Sequence, residues 1–293
     1  MKIVLVVVFV FCNLTFSSIA NDILVESESR WESFLKNFYS KPDYVKNKTL
    51  LSAFYGRSFT DINQKSITKF SEIHNLDFYY GFIRVNDKIK FKDMFSHQGE
   101  YAFISNTSTN FKTFKFQLDG IVTDSWRFGF GLNDGYGINL LDNRLYFNHS
   151  TALTWIRIDV DYFSGNENDI DFIKRFDERF KFGSLYKTGL TYQLYDVLNL
   201  EINYEHAYYF PDFQFIPWFG SFIVDNIIQR GPELFEKELE ATFKNSYPFI
   251  KMIYKNIASF ILTELRRYDG YAPFPSEHTL NYDTFKIGIV LII

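Results

Sequence analysis

Residues 182–210 read FGSLYKTGLTYQLYDVLNLEINYEHAYYF, and within this stretch apolar and polar side chains alternate in two segments. The apolar parity holds Tyr186, Leu190, Tyr192 and Leu194 in the first segment, then Leu198, Leu200, Ile202, Tyr204, Tyr208 and Phe210 in the second. A two-residue period is typical of a β-strand whose two faces have different surroundings. Matching the two apolar faces sets Leu194 against Leu198 and leaves residues 195–197 as the turn, so the stretch predicts a β-hairpin with Lys187 opposite Glu205.

A hairpin with one apolar and one polar face fits two kinds of protein. A soluble protein buries the apolar face, whereas a membrane β-barrel turns that face to lipid and the polar face to its lumen. Aromatic residues make up 20% of this chain, yet charged residues reach 23% and the mean hydropathy is −0.15. Lipid-facing strands with aromatic girdles around a polar lumen have this combination, so the composition favours the membrane barrel.

The first 20 residues are predicted to be a signal peptide. Lys2 precedes an apolar run over residues 3–11, and small residues at Ser18 and Ala20 suit cleavage after position 20. The run is too short to span a membrane as a helix. Cys12 is the single cysteine and lies inside this segment, so the mature chain is predicted to lack disulfides, which favours a bacterial envelope protein.

Residues 21–43 are predicted to form an amphipathic helix and a linker, followed by a barrel domain over residues 44–293. Alternation recurs in segments that, with the hairpin, predict eight to twelve antiparallel strands: 50–59, 75–85, 100–105, 112–119, 125–132, 136–141, 144–163 and 280–293. Asn133-Asp134-Gly135 predicts a turn between two of them, and the long segment 144–163 fits either one strand or two. Apolar residues at helical spacing predict a short helix within residues 164–181 and a helical insertion over 217–267.

The final segment, Leu280–Ile293, alternates apolar residues up to its end: Phe285, Ile287, Ile289, Leu291 and Ile293. It resembles the closing strand of bacterial outer-membrane β-barrel proteins, although those strands usually end on an aromatic residue. The resemblance covers residues 44–293 as a pattern and is to the class rather than to one family. It implies an all-β fold, a closed antiparallel membrane β-barrel, in the outer membrane of a Gram-negative-type bacterium.

Seven charged residues occupy the parity assigned to the lumen: Arg127, Arg157, Asp159, Asp161, Lys187, Glu201 and Glu205. Charges of both signs in a narrow lumen could pair with one another and fill it, or they could line a polar path for a solute. A mixed set creates little net field, so strong ion selectivity is not predicted. Both interpretations remain open at this point.

The favoured function is non-enzymatic: a monomer in contact with membrane lipid that passes or binds a small or amphiphilic solute, or serves the envelope structurally. One alternative is a lipid-acting hydrolase centred on His149, but the adjacent Ser150 would lie on the opposite face of a strand. A second alternative is a soluble periplasmic β-protein. The net charge of −4 without a basic stripe argues against a nucleic-acid partner, and the scattered histidines predict neither a metal nor a cofactor.

Overall fold

The computed structural model describes residues 47–61, 70, 73–87, 89–91, 93–109, 121–140, 143–162, 167–274 and 276–293. Within these ranges eight strands form a closed antiparallel barrel, in which neighbours in sequence are paired and the last strand closes against the first. The strands are β1 Asn47–Asp61, β2 Ile73–Asn86, β3 Met94–Ser108, β4 Val122–Leu140, β5 Asn143–Tyr162, β6 Phe180–Gln193, β7 Leu198–Tyr209 and β8 Leu280–Ile292. The predicted closed antiparallel barrel is confirmed. The signal peptide, the helix in 21–43 and the strand over 112–119 lie outside the described residues.

The hairpin of β6 and β7 has the predicted register. In the strand register Lys187 lies directly opposite Glu205, and the backbone N–H of Leu194 donates to the carbonyl oxygen of Leu198 at 2.9 Å. Both charged residues lie inside the barrel, whereas Leu190 and Ile202 point outward and are 39% and 52% exposed. The two-residue period therefore places the charged row in the lumen and the aliphatic row on the outer wall.

The connections between strands differ at the two ends of the barrel. At one end they are short, spanning residues 87–93, 141–142 and 194–197. At the other end they are long, spanning residues 62–72, 109–121, 163–179 and 210–279. Short turns at one end and long loops at the other are also the arrangement of bacterial membrane barrels.

The turn predicted at Asn133-Asp134-Gly135 is wrong, because β4 runs through this tripeptide without a break. Asp134 pairs with Gln98 of β3 on one side and with His149 of β5 on the other. Pairing on both edges overrides the local turn preference of these residues. Gly135 serves a packing role instead, since a Cβ at this position would lie 1.9 Å from the carbonyl oxygen of Phe147. The segment 144–163 corresponds to one long strand, β5.

Helices occupy two of the long connections. α1, Glu167–Lys174, lies between β5 and β6, and the insertion between β7 and β8 contains α2 Phe215–Gln229, α3 Gly231–Leu234, α4 Glu236–Phe243 and α5 Tyr247–Tyr268. Pro232 and Pro248 lie in the first turns of α3 and α5, where the missing N–H has no intrahelical partner to lose. Among the helices of the described ranges, none has both the length and the apolar character that crossing a bilayer requires.

Side chains fill the barrel. At the end with long connections, Ile156 and Ile158 of β5 pack with Leu280 of β8. Ile173 of α1 and the following Phe176 enter the same apolar cluster and are 1% and 0% exposed. This end of the lumen is therefore closed by apolar side chains.

Candidate functional site

Four charged side chains from four strands meet inside the barrel: Asp77 of β2, Arg127 of β4, Glu205 of β7 and Lys286 of β8. Arg127 Nη1 donates to Glu205 Oε1 at 2.9 Å, and Arg127 Nη2 lies 3.5 Å from Asp77 Oδ1. Lys286 Nζ contacts both carboxylates. All four side chains are fully buried, and their charges sum to zero. We call this set the lumen network; it joins four strands across the barrel.

Four of the seven predicted lumen residues are buried inside the barrel: Arg127, Lys187, Glu201 and Glu205. Lys187 Nζ lies 3.7 Å from Glu201 Oε1 and 4.5 Å from the centre of the Tyr79 ring. Tyr79 OH in turn lies 3.4 Å from Glu205 Oε2, which connects this pair to the lumen network. The side chain of Asp161 is outside the described part of the chain.

Arg157 and Asp159 lie on the outer face of β5, contrary to the prediction. Arg157 Nε is 3.3 Å from Asp159 Oδ1, and the two side chains are 46% and 47% exposed. Ile156 and Ile158 occupy the inner face instead, because the lumen is apolar at this end, where α1 closes it. A two-residue period shows that two faces differ, but it does not show which face is inside.

Asp77 and Lys286 are not among the predicted lumen residues, although each completes the lumen network. Asp77 lies between Leu76 and Phe78 in β2, and Lys286 has apolar neighbours on both sides in β8. The same two-residue alternation that predicts Lys187 to face the lumen also predicts that Asp77 and Lys286 face it. Their contact with one another could not be read from parity, because β2 and β8 come together on either side of β1 only when the barrel closes.

The helical insertion lies on the outside of the barrel. In α5, Lys255 Nζ is 2.6 Å from both carboxylate oxygens of Asp134 on β4, and Arg267 Nη2 donates to Asp283 Oδ2 on β8 at 2.8 Å. The two cations are 12 residues apart, or about 18 Å along a helix. Four strand spacings from β4 to β8 amount to about 19 Å. The two lengths agree, so α5 runs across the strands.

Between these two ion pairs, α5 covers polar residues of the outer wall. His149 Nδ1 lies 3.2 Å from Asn256 Oδ1, and Tyr186 OH donates to the same oxygen at 3.0 Å. The opposite face of α5 is apolar and about half exposed: Ile253, Ile257 and Phe260. The wall is thus polar where α5 covers it. The outer face of α5 is apolar, so the covered region still presents apolar side chains to the surroundings.

A groove of about 670 Å³ lies between α2 and the outer wall. Rings and aliphatic side chains of β2, β4 and β5 line its wall side: Tyr80, Phe82, Phe130, Leu132 and Leu153. Trp218 and Phe222 of α2 line the other side. The volume is within the range of roughly 300–1,000 Å³ that is typical of small-molecule sites.

A polar cluster lies within this apolar lining. Arg266 of α5 donates through Nη1 to Tyr208 OH at 2.8 Å and through Nη2 to Ser221 Oγ at 2.6 Å. Arg266 Nη1 also lies 2.5 Å from Asp225 Oδ2. The other carboxylate oxygen, Asp225 Oδ1, is buried and accepts no hydrogen bond from the described residues. The groove therefore combines a long apolar lining with one buried acceptor.

Arg175, in the connection after α1, forms ionic contacts with both ends of the helical insertion. Arg175 Nη2 donates to Glu277 Oε2 at 2.7 Å and also hydrogen-bonds to Asp212. The hydrogen bond from Arg175 holds the pKa of the Asp212 carboxyl below its ordinary value. Because Asp212 precedes α2 and Glu277 follows α5, one guanidinium anchors the start and the end of the insertion.

His149 and Ser150 cannot act together as base and nucleophile. Ser150 points into the barrel, where its Oγ donates to the carbonyl oxygen of Leu132 at 3.1 Å. His149 points outward beneath α5, with Asn256 as its hydrogen-bond partner. Adjacent residues of a strand face opposite sides, so the β5 backbone itself separates the two groups.

No protein-family model matches the chain, and no curated protein matches it. Similar solved structures include Neisserial surface protein A, with 8% identity and a TM-score of 0.35, covering 84% of this chain and 97% of that one. The attachment invasion locus protein Ail of Yersinia pestis has 8% identity and a TM-score of 0.30, covering 85% of this chain and 100% of its own. A mutant of the monoaromatic hydrocarbon channel TodX has 14% identity and a TM-score of 0.22, covering 58% and 50%. All three have sequence identities of 14% or lower and TM-scores of 0.35 or lower.

Proposed function

We propose that this protein is a non-conducting β-barrel of a bacterial outer membrane that binds an amphiphilic solute on its outer wall. The observation that carries the proposal is the groove between α2 and the wall, where an apolar lining surrounds the buried Arg266–Asp225 pair. An amphiphile needs this combination, since its tail requires apolar contact and its head requires hydrogen bonds.

Apolar side chains on the outer wall support the membrane location. The parts of the wall that the helices leave uncovered present large outward side chains that are 44–61% exposed: Tyr55, Phe78, Phe128, Ile202 and Phe285. Soluble monomers rarely expose contiguous apolar patches above roughly 300–600 Å². Acyl chains solvate such a surface, so the outer wall argues for a bilayer and against the soluble periplasmic alternative.

The filled lumen supports binding rather than passage. Eight strands enclose a space just wide enough for side chains, and the lumen network occupies its middle. A solute crossing the lumen would have to separate buried ion pairs such as Arg127–Glu205. Each separation would leave an uncompensated charge, which costs several kcal/mol.

The hydrolase alternative has weaker support. It would need His149 beside a nucleophile on a surface that a lipid can reach, whereas this histidine is 1% exposed.

The proposal can be tested by filling the groove. Ala102 of β3 lines it, whereas Ile104 points outward from the same strand two residues further on, beyond the lining residues. Ala102→Trp is expected to reduce the adducts seen by native mass spectrometry after incubation with mono-olein, and Ile104→Trp is expected to leave them unchanged. Equal adducts in the two variants would contradict the groove as the site. Discrete conductance steps in planar bilayers would contradict the proposal that the lumen is blocked.

A further inference from the structure

We infer that the groove selects a single-chain amphiphile with an uncharged, hydroxyl-bearing head, such as a monoacylglycerol, over a fatty acid or an alkylamine. The inference rests on the proposed function and names the ligand class for the same groove. Three features carry it: the apolar lining, the acceptor left open on Asp225 and the charge balance around Arg266.

The lining fits an apolar chain. Leu132 and Leu153 come from adjacent strands of the wall, and Trp218 and Phe222 face them from α2. Trp218 and Phe222 are one helical turn apart and stack with their ring centres 5.6 Å apart, so they form a continuous apolar strip. The volume of about 670 Å³ is that of a site for one small ligand, which favours a single chain.

The hydrogen-bonding groups of the groove favour a ligand that donates a hydrogen bond. Asp225 Oδ1 has no hydrogen bond from the described residues, and the side chain of Asp225 lines the groove and is 16% exposed, so a ligand hydroxyl could donate to this carboxylate. Arg266, by contrast, already donates to Ser221 through Nε at 3.2 Å and through Nη2 at 2.6 Å, and to Tyr208 through Nη1. The guanidinium is therefore engaged, and the open position is an acceptor rather than a donor.

Charge balance separates a neutral head from an ionised one. Asp225 and Arg266 neutralise each other at 2.5 Å, and their side chains are 16% and 6% exposed. A fatty-acid carboxylate would add a second negative charge beside Asp225 and could not donate a hydrogen bond to it. An alkylammonium could donate, but it would leave an uncompensated positive charge near Arg266, and uncompensated charge is costly in a desolvated site.

The test compares three ligands of equal chain length: mono-olein, oleate and oleylamine. Native mass spectrometry in lauryldimethylamine oxide suits the purpose, because this detergent has no hydroxyl group that could compete. At pH 7 the wild-type protein is expected to bind mono-olein roughly tenfold more tightly than oleate or oleylamine, the factor typical of one hydrogen bond to a charged group. Asp225→Asn is expected to abolish the preference and to raise oleate binding, because Arg266 loses its counter-charge.

Asp212→Asn is the matched control, since it removes an exposed carboxylate that is not among the groove residues. It should leave the preference unchanged. Equal binding of the three ligands to the wild-type protein would overturn the inference and leave the proposed function standing. Binding of none of them would overturn both. A preference for mono-olein that persists in Asp225→Asn would remove Asp225 from the recognition of the head group.

Discussion

Replacing Arg127 by Met is expected to destabilise the barrel by about 3–5 kcal/mol, the cost of breaking a buried ion pair. The substitution removes the 2.9 Å bond to Glu205 and the weaker 3.5 Å contact with Asp77. Lys286 is then left to face two buried carboxylates. Coulomb's law with an effective dielectric constant of 20 assigns about 6 kcal/mol to two charges about 2.9 Å apart, so the estimate is a realistic fraction of the attraction lost.

Pairing this substitution with Glu205→Gln restores neutrality, because Asp77 and Lys286 remain as a complete pair. The double variant is therefore expected to be at least about 2 kcal/mol more stable than the sum of the two single effects. The assay is urea-induced unfolding in detergent micelles, followed by tryptophan fluorescence and by the heat-modifiable gel migration of a folded barrel.

Arg157→Met is the matched control for this experiment. Its guanidinium is 46% exposed and pairs with the equally exposed Asp159, so its loss is expected to cost no more than about 1 kcal/mol. If Arg127→Met is as mild as Arg157→Met, or if the two lumen substitutions are additive, the lumen network does not brace the barrel as described.

Two further predictions concern the helical insertion. Met at both Lys255 and Arg267 removes the ion pairs of α5 with the outer wall, and limited proteolysis is expected to cut this helix at least about tenfold faster, whereas equal rates would contradict an ionic attachment. A hydrogen bond from Arg175 depresses the pKa of Asp212, so this contact contributes stability above the unfolded pKa of about 3.9 and loses it as the pH falls through the folded value. The difference in stability between wild type and Asp212→Asn should therefore be small at pH 6, because Asp212 is exposed, and should decrease as the pH falls through the folded pKa of Asp212; a constant difference would contradict the contact.

Several elements of this protein were predictable because their cause is local. The hairpin turn after Leu194 and the pairing of Lys187 with Glu205 follow from a two-residue period and a turn length. The helices after β7 follow from a change of period. Two predictions made from neighbouring residues are wrong, because contacts with distant residues determine the position of Asp134 and the orientation of Arg157. Asp134 lies in mid-strand because β3 and β5 pair with both of its edges, and Arg157 faces outward because α1 makes the nearby lumen apolar.

The sequence by itself determined that strands with two unlike faces make up this protein and that helices precede the last strand, because both properties are periodicities of neighbouring residues. Only the tertiary structure decided that the lumen is filled by a neutral network and that the helices lie on the outer wall. Those outcomes depend on residues far apart in the chain: Asp77 and Lys286 meet because β1 pairs with both β2 and β8, and Lys255 reaches Asp134 over 121 positions. The groove has the same origin, because neither α2 nor the wall forms it alone.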